Sequence, residues 1–70
     1  MYKVFEIQNY IDGTIKGAVT LEDGFWSADT EIAQNILKGV QRRYQNEEDK
    51  IKYLSTYTNQ QVASRLVVDE

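Results

Sequence analysis

The seventy residues contain no cysteine, no histidine and no proline, and only one tryptophan. Without cysteine no disulfide can staple the fold. Without histidine or cysteine the usual nitrogen and sulfur metal ligands are missing. The same gap removes the common nucleophile–base pairs of covalent catalysis. No apolar run approaches the length of a membrane span. The opening residues Met1 to Gln8 have no continuous apolar segment of the signal-peptide kind, and the start at Met1 suits a free-standing protein. Repeats and low-complexity runs are absent too. A small chain without disulfides fits a reducing compartment, so a cytoplasmic location is expected.

What is present describes one small folded domain over residues 1–70. The hydrophobic fraction of 41% is that of a folded chain rather than a disordered one. A domain of this size buries only about 60% of its unfolded-chain surface, so its core is thin. The net charge of −3 works against long-range attraction to nucleic acid or anionic membranes, weakly at physiological salt.

Hydrophobic spacing changes twice along the chain. From Tyr2 to Ile11 and from Thr14 to Glu22 it alternates. Phe5, Ile7 and Ile11, with Ile15, Val19 and Leu21, take one face. Tyr2, Val4, Glu6, Gln8 and Tyr10 take the other. Asp12-Gly13 between the runs is the dipeptide of a type I′ turn, so residues 2–22 read as a β-hairpin. After a second turn signal, Asp23-Gly24, apolar residues recur every three or four positions: Ile32, Ala33, Ile36, Leu37, Val40 and Tyr44. That is an amphipathic helix, with Ser27 or Asp29 as its expected cap. Gly39 is expected where this helix nears the sheet.

Asn46-Glu47-Glu48-Asp49 reads as a polar break. Lys50 to Thr58 has the tyrosine and threonine content of a strand, and Val62 to Asp69 alternates again. The expected fold is therefore α+β in two layers, a four-stranded sheet with one helix on one face in the order ββαββ. The alternative places a second helix toward the C-terminus, because Ile51, Leu54, Thr58, Val62 and Leu66 also fit a helical stripe. The order, together with "MYKV", "TIKG" and "TYTNQQVASRLVVDE", resembles the β-grasp immunoglobulin-binding domains of streptococcal protein G. That resemblance implies first and last strands lying side by side and parallel, with the second and third outermost. No functional motif matches, so it implies no activity.

Function is read from surfaces. The acidic clusters Glu22-Asp23, Glu47-Glu48-Asp49 and Asp69-Glu70 fall in turns or at a terminus, where solvated charge is the plain reading. No enzyme, cofactor or metal site is expected. Phe25 and Trp26 lie where the chain passes between layers, and one ring is expected to be buried. The sheet face opposite the helix should be polar, yet it carries Tyr2, Val4 and Tyr10, joined by Arg65 and Val67 and by Leu54. An apolar patch with a polar surround suggests a partner surface. The expected function is a small non-catalytic protein-binding module, an inhibitor, adaptor or regulator that occupies a partner's surface. Its contacts would be Tyr2, Val4, Tyr10, Trp26 and Tyr53. The abundance of Asn, Gln and Tyr is reminiscent of phage or mobile-element accessory proteins.

A second reading is a single-stranded nucleic-acid binder using Arg42, Arg43, Lys50, Lys52, Tyr53 and Tyr57, since phosphates need cations and bases stack on rings. A third is a self-associating structural or virion subunit. Edge lysines Lys16, Lys50 and Lys52 argue against strand addition.

Overall fold

The computed structural model describes residues 1–70. The elements run β1 (Tyr2–Asn9), β2 (Ile15–Glu22), β3 (Phe25–Ala28), α1 (Glu31–Arg43), α2 (Glu47–Thr56) and β4 (Val62–Asp69). The fold is α+β, with a four-stranded sheet in the order β3-β2-β1-β4. Every neighbouring pair is antiparallel. The first and last strands are adjacent, as expected, but antiparallel. The outermost strands are β3 and β4. The ββαββ order of the β-grasp resemblance is thus replaced by three strands, two helices and a returning strand.

The opening hairpin forms, but not through Asp12-Gly13. Only Gly13 there has a positive φ, 76°. The Asn9 N–H donates to the Thr14 carbonyl at 2.8 Å, and the Asn9 side-chain oxygen accepts from the Ile11 N–H at 2.9 Å. A longer loop, Tyr10 to Gly13, results. The two-residue type I′ geometry appears instead at Asp23-Gly24, with φ of 50° and 85°. It folds β3 back onto β2, pairing Glu22 with Phe25 and Leu21 with Trp26.

A bulge in β2 alters its facing. Ile7 pairs with Gly17 and Gln8 with Ile15, leaving Lys16 as the extra residue. A bulge shifts the alternation by one position. Ile15 therefore leaves the face of Val19 and Leu21, where it was expected, and is 54% exposed. The junction after β3 clamps this bulge. The Thr30 hydroxyl donates to the Lys16 carbonyl at 2.7 Å, and the Asp29 carboxylate accepts the Ala18 N–H at 2.8 Å. Thr30 also caps α1 by accepting from the Ala33 N–H at 3.2 Å. The cap is thus Thr30, rather than Ser27 or Asp29, because Ser27 is committed to β3 and Asp29 to the bulge.

Residues 47–56 are helical, where a break and a strand were expected. Asn46 caps α2 by accepting from the Glu48 N–H at 2.7 Å, and Glu47, Glu48 and Asp49 occupy its first turn. Carboxylates there complement the positive end of the helix dipole. Ile51 and Leu54 do face inward, as the helical alternative had it, but the helix ends at Thr56, and Val62 and Leu66, which that alternative placed on the same stripe, lie in strand β4.

Both helices lie on one sheet face. Phe5, Ile7, Val19 and Val62 from the strands meet Ala33, Leu37 and Val40 of α1 and Leu54 of α2 in a single core. Burying each of the larger side chains contributes on the order of 2 kcal/mol. Trp26 points to this face, its ring stacked on Phe5 with centroids 6.1 Å apart. Phe25, its neighbour, points the other way and is 72% exposed.

Candidate protein-binding surfaces

The first surface is the sheet face that no helix covers. Strand register places its side chains in rows. Phe25, Glu22 and Tyr2 form one row, and Ser27, Thr20, Val4 and Val68 the next. Ala18, Glu6 and Arg65 follow, then Ile15, Gln8 and Ala63. None of these residues is buried. The partner of Val4 is Val68 rather than Val67. A second bulge, between Val4 and Phe5 in β1's register with β4, makes Val67 the extra residue. Glu6 and Arg65 sit opposite each other but form no ion pair, since the salt bridges are Met1 to Asp23 and Lys3 to Asp69. The result is an apolar streak of Tyr2, Val4 and Val68, with Phe25 at one corner and Ile15 at another. Polar and charged groups of both signs surround it.

The second surface is a groove between the helices, with a volume of about 250 Å³. α1 supplies Ile36, Gly39, Val40 and Arg43; α2 and its end supply Tyr53 and Tyr57. The three tyrosines make a chain of rings. Tyr44 to Tyr53 and Tyr53 to Tyr57 are each 5.3 Å between centroids, tilted by 47° and 43°. The Arg43 guanidinium lies 5.9 Å from the Tyr53 ring centre and donates to the Tyr53 hydroxyl at 3.3 Å. Tyr57 accepts from the Asn59 amide at 2.8 Å. Gly39 does not mark a close approach to the sheet: a Cβ built there meets nothing within 4 Å.

These two surfaces divide the sequence-predicted residues. Tyr2 and Val4 stand on the open sheet face, joined by Arg65. Tyr10 lies beyond β1, in the loop, 54% exposed. Trp26 belongs to the core side, and Leu54 is fully buried under α2 instead of joining the open face. Tyr53 is in the groove. Of the basic–aromatic set, Arg43, Tyr53 and Tyr57 come together there, whereas Arg42, Lys50 and Lys52 do not line it. Lys16 is the bulge residue of an inner strand, and Lys50 and Lys52 are helical, so none of them guards an edge.

No family model, no curated protein and no solved structure matches the chain. What the surfaces do is therefore argued from their own chemistry. Phe25, Val68 and Ile15 were missed as contacts for one reason. Each depends on a short strand or a bulge that shifts the alternation, and the sequence alternation alone does not show the shift. The available signal was the second Asp-Gly, which is as strong a hairpin dipeptide as the first. No helix is long and apolar enough to cross a membrane.

Proposed function

We propose that the protein is a small non-catalytic binding module whose partner is another protein, and that the open sheet face is the contact surface. One observation carries this reading. Both helices pack on the same side of the sheet, so Tyr2, Val4, Val68 and a 72% exposed Phe25 are left uncovered. Interfaces of this kind have an aromatic-rich apolar centre and a polar rim. Thr20, Ser27, Gln8, Glu6 and Arg65 supply that rim. Such a module acts by occupying its partner's surface, as an inhibitor, adaptor or regulator, a role that suits a phage or mobile-element accessory protein. The face carries two carboxylates, Glu6 and Glu22, and one cation, Arg65, which does not suit a polyanion.

The test uses Val4→Asp and Phe25→Ser in the full chain, with binding to a captured partner measured beside thermal unfolding. Loss of the complex with folding retained is the expected result. A partner that binds both variants as it binds the parent chain would remove this face from the interface.

A further inference from the structure

The geometry points to the groove between α1 and α2 as a second, independent docking site, which receives an acidic amphipathic helix of a partner protein. Three features of the groove lead there.

The first is Gly39. In the middle of a helix it is less favourable than alanine by about 1 kcal/mol. Neither backbone nor packing requires it, since its φ is not positive and a Cβ would meet nothing within 4 Å. What its missing side chain does produce is a notch, walled by Ile36, Val40 and Arg43 on α1 and by Tyr53 and Tyr57 opposite. A gap framed by residues three and four apart on a helix is the shape that accepts a side chain from a neighbouring helix. The occupant's contribution is thus one large apolar side chain, seated over Gly39.

The second is Arg43. It has no carboxylate partner, although the chain holds eleven acidic residues. Its guanidinium stays beside the Tyr53 ring, at the groove margin. Arginine and tyrosine are both, with tryptophan, enriched where binding energy concentrates. The third is the charge of the two helices, of whose cations Arg43 is the one that lines the groove. The carboxylates of the two helices are Glu31 and Glu47, Glu48 and Asp49, all in the first turns. Lys38, Arg42, Arg43, Lys50 and Lys52 occupy the remaining turns, five of the chain's eight cations. A helix with a glutamate beside an apolar stripe complements both the notch and the Arg43 guanidinium at its margin. Helix-in-groove recognition uses anchors at i and i+4 in the same way. With the helices on one side of the sheet and the open sheet face on the other, the chain has two opposed surfaces, the layout of an adaptor.

Two synthetic peptides test this: an amphipathic helix with Phe and Leu at i and i+4 among glutamates, and its counterpart with lysines. Each is titrated into the isotope-labelled full chain while backbone amide shifts are followed. The expected result is that the glutamate peptide shifts Gly39, Val40, Arg43, Tyr53 and Tyr57, and that the lysine peptide binds at least about tenfold more weakly. Arg43→Glu should reverse that preference. Gly39→Leu should fill the notch and abolish binding while raising the melting temperature. Val4→Asp, on the opposite face, should leave peptide binding unchanged, so the two surfaces fail or succeed separately. Equal binding of both peptides, shifts confined to the sheet face, or no shift at all overturns the proposal. Groove shifts with a thymidine oligonucleotide and with neither peptide overturn it in favour of single-stranded nucleic acid.

Discussion

The hydroxyl of Thr30 serves two elements at once, and the space it occupies is available only because residue 17 is glycine. It donates to the bulge carbonyl of Lys16 and accepts the Ala33 N–H of the first helical turn. A Cβ on Gly17 would fall 2.0 Å from that oxygen, and the φ of 141° is itself unfavourable for any L side chain. Gly17→Ala therefore has to displace Thr30, open the bulge and uncap α1. The expected cost is about 3 kcal/mol, combining overpacking, backbone strain and a weakened cap. Urea unfolding of the variant against the parent measures it, and a change below 1 kcal/mol would mean that bulge and cap are not coupled. Asp12 makes a smaller and pH-dependent contribution. Thr14, through its side chain first and its backbone N–H second, holds the Asp12 carboxyl below its ordinary 3.8, with a minor contribution from Lys16. A carboxyl depressed in the folded state adds stability above its unfolded value and loses it as the pH falls through the lower folded value. The Thr14 amide resonance should accordingly titrate with a midpoint below 3.8, and Asp12→Asn should remove that titration without unfolding the chain.

At the scale of elements, legibility followed length and uninterrupted period. β1, the Val19–Glu22 half of β2, the Ile36–Val40 stretch of α1 and the Val62–Leu66 stretch of β4 each hold one period long enough to be read, and the structure places them as the spacing predicts; Ile32 is 42% exposed and the bulge at Val67 puts Val68 on the open face instead. β3 has four residues, Phe25-Trp26-Ser27-Ala28, which is too short for alternation to stand out. It is created by the turn before it and by the unpaired edge of β2. α2 was misread for a different reason. Ile51, Tyr53, Thr56 and Tyr57 favour strands by a few tenths of a kcal/mol each, and such propensities yield to context. The competing signal was Asn46 followed by three acids, a helix start written in capping chemistry rather than in hydrophobic spacing. Once α2 is a helix, its Leu54 joins the core that Val62 of β4 also enters. The returning strand must then pair with β1 from the opposite direction, which turns the expected parallel neighbour into an antiparallel one. The candidate surfaces inherit these outcomes. Tyr2 and Val4 were readable because β1 was. The groove was not, because it exists only between two helices.

For the whole molecule, the arrangement of β1 and β4 sets how the chain folds. They form the most separated pairing in the structure. Lys3 contacts Asp69 across 66 positions, and Tyr2 and Glu70 exchange two backbone hydrogen bonds of 2.8 Å. Nearly the whole chain must be closed into a loop before the central strand gains its second neighbour. Loop-closure entropy opposes that step, and pairings of this kind slow folding. The two ends are nevertheless neighbours in an antiparallel ladder, which is the geometry a short hairpin connects. A permuted chain with Glu70 joined to Met1 through a short glycine-containing turn, and opened between Gln60 and Gln61, turns the longest pairing into a local hairpin. Gln60 and Gln61 are both exposed, and the bonds at risk at the new termini are those of the Gln61 backbone with the Asn59 side chain and the Tyr10 N–H. The permutant should keep the amide spectrum of the parent chain at core positions such as Phe5 and Leu54. Its refolding rate, read from the folding arm of a denaturant chevron, should rise on the order of tenfold, with little change in the unfolding arm. An unchanged refolding rate would show that β4 docks on β1 after the rate-limiting step.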